Sequence, residues 1–511
     1  CVVAGYCCPD KGMYLGDIRI EPTSTAYNGI IIKYNSKGEV VWYNLMPSGS
    51  SQINSICKLK SGGYLVVGED SSMRLNNGIL INDTNSGMIL RLTENGEVDW
   101  GKNVSEGYYT LKDVTETSDG EYIVGGELGG IDGNIGNNVS VPAKGAGDIV
   151  VARFGKVEVP SASVVKVHNT DSSSISSTKN TKDGGYVVAG TFSSNSVDFD
   201  NILDKSTEYK GSAIVKYAQN KEIEWAQKIG MQADDDPTIN DIMVTGDGGY
   251  LVGGYYSESN LKITEDITLI NKGLNDAFLI KYNSDGIVEW AKEIGSTSNE
   301  VINSITQSDD GGYIVAGYPC SGTIYADNEV LYDVDVGGYT GILVKYNSKS
   351  EVEWSKLMPQ KGFSQFQSVS ICSDGGYIVG GSYTGGPYDL ENGITLERYA
   401  DGDDGLVIKY NSNGDAEWAR TVKGSYINSI DSVAICKDGG YIVGGFFQSE
   451  SVDLGDGITF SNHKSQGSYD SILIKYNENG QIEWAKNIGG AGDDRITSVQ
   501  ETTDGGYIVG G

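Results

Sequence analysis

Histidine is almost missing from this chain: there are two, His168 and His463, in unlike contexts. So few exclude a histidine-built zinc centre and leave a Ser-His-Asp machine without convergent partners. Basic residues are also short, 38 Lys and Arg against 69 Asp and Glu, for a formal net charge of −31. Nucleic-acid phosphates would be repelled by such a surface, and no Lys/Arg cluster offers a local exception. No apolar run approaches the roughly 18 residues of a membrane-spanning helix. Seven cysteines, an odd number, do not make a disulfide framework for a chain of this size. Cys372 and Cys436 occupy equivalent places, with Cys57 on the same strand face, and are read as buried thiols packing as small apolar groups. The pair Cys7-Cys8 has no such reading. An initiator Met and a signal segment are both missing, and the first residues stand mid-motif, which reads as a fragment, mature or trimmed.

Proline is scarce, at 9, while glycine is abundant, at 71, a balance suited to many tight turns between short strands. The glycines are not scattered. The motif Asp438-Gly-Gly-Tyr-Ile-Val-Gly-Gly445 returns throughout, with its tyrosine at Tyr64, Tyr122, Tyr186, Tyr250, Tyr313, Tyr377, Tyr441 and Tyr507, spaced by 58 to 66 residues. Cys1-Val-Val-Ala-Gly-Tyr6 superposes on Tyr313-Ile-Val-Ala-Gly-Tyr318 and extends the phase to the first residue. A fixed period of this length means stacked supersecondary units that cannot bury their faces alone. Eight full units follow, at about residues 1–60, 61–118, 119–182, 183–246, 247–309, 310–373, 374–437 and 438–503, with 504–511 a surplus or closing strand.

Each unit reads as four strands. Strand A is the glycine-flanked run, a buried strand whose glycines permit close backbone approach, expected to line the axis. Strands B and C form a hairpin, as in Lys281-Tyr-Asn-Ser-Asp-Gly-Ile-Val-Glu-Trp290, whose Asn-Ser-Asp-Gly favours a type I turn with Gly286 at φ > 0. That register pairs Asn283 with Ile287 and puts Lys281 opposite Glu289 and Ile280 opposite Trp290. The Lys–Glu pair recurs at Lys216/Glu224, Lys345/Glu353, Lys409/Glu417 and Lys475/Glu483, and is read as structural. All seven tryptophans close strand C, and unit three, which has Val164-Val165 near that place, is the degenerate copy. Strand D is Ile302-Asn-Ser-Ile-Thr-Gln307 and its equivalents. Four short antiparallel strands repeated eight times predict an all-β, eight-bladed β-propeller filling residues 1–511, with the aromatic B–C faces wedged between blades.

Between A and B each unit inserts roughly 20 residues that alternate about a turn, as in Leu75-Asn-Asn-Gly-Ile79 and Leu454-Gly-Asp-Gly-Ile458. These small hairpins all leave one face and are expected to form a crown there.

The run Asp470-Ser-Ile-Leu-Ile-Lys-Tyr476 through Trp484, ending in Asp504-Gly-Gly-Tyr-Ile-Val-Gly-Gly511, resembles the secreted bacterial and archaeal β-propeller repeat proteins often labelled SBBP. The insert Ser451-Val-Asp-Leu-Gly-Asp-Gly-Ile-Thr-Phe460 is similar to theirs too, and the resemblance covers the whole chain. It implies a location outside the cell or on its surface, commonly within a longer modular protein, and brings no agreed catalytic motif. Kelch repeats are a more distant analogy, with a shorter spacing.

No metalloprotease helix motif, phosphate loop or nucleophile elbow is present. Clustered carboxylates at Asp401, Asp403 and Asp404 make that loop a candidate calcium site, calcium being the one cofactor the sequence suggests, with Asp234-Asp-Asp236 a weaker one. Asp404 also has a plainer reading, since Asp148, Asp276 and Asp470 recur at that place before strand B. Crown tyrosines Tyr325, Tyr332, Tyr339, Tyr388 and Tyr399 are candidate contacts for a glycan or a protein partner, because tyrosine offers rigid area with a polar tip. The expected function is a non-catalytic structural or interaction module binding through the inserts of units six and seven (Ser321–Gly341 and Ser382–Gly405). Two alternatives stand beside it. One is a secreted carbohydrate-active enzyme; the other is a self-assembling filament subunit, because the chain ends, Cys1–Gly5 and Tyr507–Gly511, compete for one place in an eight-membered ring.

Overall fold

The computed structural model describes residues 2–7, 13–15, 18–20, 28–35, 37–45, 51–70, 73–74, 80–81, 86–104, 108–117, 120–129, 133–134, 140–141, 148–154, 163–168, 173–194, 198–199, 209–219, 222–230, 237–257, 259–335, 338–360, 362–390, 392–397, 402–463, 467–489, 493–501 and 507–510. Every regular element among them is a β-strand. The architecture is a β-propeller of four-stranded antiparallel blades.

Six blades keep the repeat in full, each a contiguous stretch of chain with tryptophan on its last strand. Their first strands are Ser51–Lys58, Ser173–Asn180, Pro237–Val244, Glu300–Gln307, Ser364–Ile371 and Asn428–Ile435. The eight blades expected from the period are corrected to six, because two further sheets break the pattern. The sheet Tyr108–Glu116, Tyr122–Gly129, Asp148–Phe154 and Ser163–His168 belongs to the unit without tryptophan and takes a fifth strand, Asp198–Phe199. The other joins the two ends of the chain in the order Ser498–Glu501, Tyr507–Gly510, Val2–Cys7, Asn28–Tyr34 and Val40–Leu45. In it the two end copies of strand A do not compete for one place: Val2–Cys7 and Tyr507–Gly510 lie side by side in parallel. Both therefore have a partner on each edge, which corrects the idea of a terminal strand left over for another molecule.

A second correction concerns which strand is innermost. The expected order put A at the axis, but D heads every sheet, followed by A, B and C. The D strand that ends one repeat thus opens the next sheet, and successive D strands touch one another. Their side chains explain the contact. Asn240 and Asn303 donate Nδ2–H to the carbonyls of Ile302 and Phe366 on the following D strand, each at 2.8 Å. Ser304, Ser368 and Ser432 accept the N–H of Val369, Val433 and Val499 at 3.3, 3.3 and 3.0 Å. Every D strand but Ser498–Glu501 also carries a β-bulge, between Ile302 and Ser304 for example, whose unpaired residue is free to reach the neighbour.

The glycines that end strand A have distinct work. A Cβ on Gly253 would stand 2.9 and 3.1 Å from methyls of Ile302 and Ile305 on the next D strand, while one on Gly254 would meet the backbone of its own D strand. Sheets and strands could not close up with larger residues there. Tryptophan completes the seam. Trp290 packs on Tyr313 of the following sheet at 5.8 Å, and all seven tryptophans make this contact, Trp42 on Tyr64 through Trp484 on Tyr507. Trp225 also covers Gly286 in the next B–C turn, where φ is +77, and its Nε1–H donates to the Ser284 carbonyl at 3.0 Å.

The lysine clamp forms, with a register shift. A bulge places Lys281 beside Trp290 rather than Glu289, yet its Nζ reaches Glu289 at 2.9 Å. A third member was not foreseen: the aspartate before Gly-Gly, here Asp247 at 3.0 Å. Lys216, Lys345, Lys409 and Lys475 are held by the same triad, and each side chain is no more than 2% exposed. The clamp needs the second glycine of the motif, since a Cβ on Gly440 would collide with Lys475 Nζ and the Tyr476 carbonyl. Burial works against the ammonium, but the paired carboxylates overcome it and hold Lys345, Lys409 and Lys475 above the ordinary lysine range.

Candidate functional site

Antiparallel order sends the D–A and B–C turns to one face and the A–B inserts and C–D connections to the other. On this insert face two of the hairpins do not rise as a free crown. The unit-six hairpin, Gly322–Ala326 with Glu329–Val334, pairs through Ala326 and Tyr325 onto Ile294 and Gly295, at the outer edge of the preceding sheet. Met13–Leu15 docks in the same way on Ile482–Gly489. An outer strand otherwise presents unpaired N–H and C=O groups, and the insert covers them.

This changes the standing of the crown tyrosines. Tyr388 is fully buried, packs edge-on to Tyr383 and donates its hydroxyl to the Thr384 carbonyl at 2.5 Å, so it belongs to the core of its blade. Tyr325 is half-buried in the docked strand, and Tyr332 is half-buried with its hydroxyl on the Ser355 carbonyl at 2.7 Å. Tyr399 lies outside the described residues. Tyr339 alone of the described four is open, 48% exposed.

Tyr339 lines a hollow of about 340 Å³ with Ser298, Cys320, Ser321, Gly338 and Phe363. Phe363, 51% exposed, lies in the C–D connection, outside the A–B inserts from which the candidate contacts were expected. Its signal was an aromatic residue in an otherwise polar linker just before a D strand. Tyr318 backs Tyr339 edge-on at 4.8 Å, and the Tyr339 carbonyl accepts the Ser364 N–H at 2.8 Å. Beneath the hollow sits Glu300, 1% exposed. Its carboxylate accepts the Ser296 N–H at 2.6 Å, and the Ser296 hydroxyl lies 2.6 Å from Glu300 Oε1 and 2.8 Å from the Ser321 carbonyl. Cys320 N–H donates to the Asn299 carbonyl at 2.9 Å, which holds the Cys320–Ser321 wall beside this anchor. Burial pushes the Glu300 carboxyl up to about 7, against the pull of the Ser296 hydrogen bonds and with help from Asp276. Burial likewise pushes Asp276, fully enclosed and accepting the Lys272 N–H at 2.8 Å, up to about 6.

The calcium candidate lies only partly within the described residues. Asp404 is 3% exposed on strand Asp404–Tyr410 and accepts the Gly424 N–H at 2.9 Å, which is the plainer role of the aspartate before strand B. Asp403 is half-buried and its carbonyl accepts Asn428. Asp401 and Asp234–Asp236 lie outside the described residues. Among the described residues no group of three or more His, Cys, Asp or Glu is placed to hold a metal ion. Cys372 and Cys436 are buried thiols whose burial pushes each up to about 12, as packing groups rather than ligands.

At the axis a polar cavity of about 730 Å³ is lined by Ser55, Asp113, Thr178 and Lys179 among others. Asp113 is held there by the hydroxyls of Ser55 and Thr178, at 2.9 and 2.5 Å. No described helix is long and apolar enough to cross a membrane.

Sheet order, seams and repeat define a β-propeller repeat protein. No protein-family model matches the chain. It is similar to an uncharacterized WD repeat-containing protein, L264, of Acanthamoeba polyphaga mimivirus, 22% identical over 361 residues, which are 58% of this chain and 26% of that protein. The match thus spans about a quarter of that relative's length. Among solved structures it is similar to a protein of unknown function from Bacteroides caccae, at 13% identity and a TM-score of 0.29 over 69% of this chain and 93% of the other. It is also similar to a eukaryotic initiation factor, at 8% identity and a TM-score of 0.41 over 95% and 87%.

Proposed function

We propose that this chain is a non-catalytic interaction module that binds a protein or glycan partner through its insert face. The observation that carries the reading is the hollow around Tyr339 and Phe363, two large aromatic side chains about half exposed on a rigid frame. Aromatic area held by backbone hydrogen bonds costs little to order on binding. Trp484 packs on Tyr507 and over the turn glycine Gly38, as the other tryptophans do between consecutive sheets, and so ties the sheet of the chain ends to its neighbour. The resemblance to secreted propeller repeats supports a place outside the cell or on its surface, and the charge of −31 speaks against nucleic acid as partner. Phe363→Ala with Tyr339→Ala tests the reading, by capture on glycan arrays and on surface extracts of the source cells. Loss of a ligand held by the parent chain, at unchanged thermal midpoint, is expected. Equal capture by parent and variant would remove the hollow from the function.

A further inference from the structure

A second cluster stands on the insert face, two blades along. Arg495 precedes the inner strand Ser498–Glu501, and its guanidinium carbon lies 4.2 Å from the Phe446 ring centre and 3.9 Å from that of Tyr469. The two rings meet edge to face at 5.0 Å, so the cation sits in a corner between them. Backbone bonds fix the corner: Asp494 N–H donates to the Tyr469 carbonyl at 2.6 Å, and Tyr469 N–H to Asp493 Oδ1 at 3.1 Å. Arg495 itself is exposed. Its electrostatic neighbour, Asp431, is half-buried and taken up by the Ser429 hydroxyl at 2.6 Å. In this acidic chain the clamp lysines each hold two carboxylates, whereas the described contacts of Arg495 are rings.

A guanidinium stacked on aromatic faces keeps its in-plane N–H edge open, and that edge matches a carboxylate with two parallel hydrogen bonds. Ile427, 42% exposed, follows on the strand face that carries Ser429, the partner of Phe446, and Tyr426, 46% exposed, precedes it. The Ile427 carbonyl accepts Gln448 N–H at 2.8 Å and Ser449 Oγ accepts Tyr426 N–H at 2.9 Å, which sets them at the end of the strand that carries Phe446. A sugar would need open ring faces, but Arg495 occupies those of Phe446 and Tyr469, and the surface beside it includes an aliphatic side chain. We propose that this corner binds an acidic peptide, Arg495 taking a carboxylate and Ile427 taking the apolar side chain next to it.

The inference rests on the reading of the insert face as an interaction surface, but it uses none of the residues of the Tyr339–Phe363 hollow, so either can fail alone. The test is fluorescence anisotropy of a labelled decapeptide ending Glu-Leu with a free carboxylate, titrated with the whole chain. The same peptide with Gln for Glu and an amidated end should bind at least about tenfold more weakly, and rising salt should weaken the acidic form. Arg495→Lys should lose about tenfold, since an ammonium cannot reproduce the fork, and Arg495→Gln should lose all measurable binding. Phe363→Ala should leave peptide binding unchanged. Equal binding of the acidic and amidated peptides, or an indifferent Arg495→Gln variant with an unaltered thermal midpoint, overturns the proposal. So does binding of oligogalacturonate in place of the peptide.

Discussion

At the scale of single residues, the chain is governed by what has no room. Gly440→Ala drives a methyl into Lys475 Nζ and the Tyr476 carbonyl, and should cost about 1–3 kcal/mol by overpacking, read as a lowered urea midpoint. Gly439→Ala beside it lies in open space but at a φ of +84, so its cost is backbone strain of roughly 1 kcal/mol. Protons pull in two directions. Asp247 and Asp310 are raised by burial but brought down to about 2 by hydrogen bonds, chiefly from Thr245 to Asp247 and from Lys345 to Asp310. Their unfolded value is about 4, so the stability they give is complete above that pH and lost as pH falls toward 2. Asp276 and Glu300, raised to about 6 and about 7, keep protons that an unfolded chain has released. Their contribution is complete below about pH 4 and lost as pH rises through 7. The thermal midpoint should therefore peak in mild acid, and Glu300→Gln should flatten its decline between about pH 5 and pH 7.5. An equally steep decline in the variant would place the proton elsewhere.

At the scale of elements, the seams between sheets and the covered outer edges carry the fold. Trp290→Ala removes a half-buried ring from Tyr313 and should cost about 2–3 kcal/mol, below the roughly 3–5 of a fully buried ring. The unit-six insert makes a separate prediction. Replacing residues 321–338 by a short Gly-Ser linker bares the strand Val288–Gly295, and the shortened chain should associate in a concentration-dependent way on size-exclusion chromatography. A monomer at every concentration would show that the hairpin does not shield that edge. Strands A, B and C were legible because period-2 patterning, Gly-Gly punctuation and the Asn-x-x-Gly turn are local signals. The place of D was not, because a repeating sequence has no phase: the same string reads as A-B-C-D or D-A-B-C. Bulges were equally hidden. The extra residue at Asn303 looks like any polar residue of an alternating strand, and the bulge after Lys281 moves the ion pair from opposite to diagonal. Exposed aromatics in the C–D connections, Phe363 and Tyr426, escaped because they occur once each and break the period rather than follow it.

At the scale of the whole molecule, seven tryptophans occupy one kind of seam. If the sheets unfold as one body, their fluorescence should shift in a single transition that coincides with loss of far-ultraviolet dichroism. Two separated transitions would show that the sheet lacking tryptophan, Tyr108–Glu116 through Ser163–His168, parts the ring into independently melting arcs. The charge of −31 was plain in the sequence and bears on partners rather than on shape. The insert face was legible as a face, since all A–B connections must leave together. That the hairpins of Met13–Leu15 and Gly322–Ala326 lie along outer edges, instead of standing up in a crown, depends on pairing between distant strands that no local pattern announces.

Because each inner strand is supplied by the repeat before it, the boundary of a genetic copy falls in the middle of two physical layers. Excising any one period of about 64 residues, wherever the cut is made, splices the front of one layer to the back of another with every hydrogen-bonding partner still of the right kind. Copy number in such a chain is therefore free to drift by unequal exchange without inventing a new join.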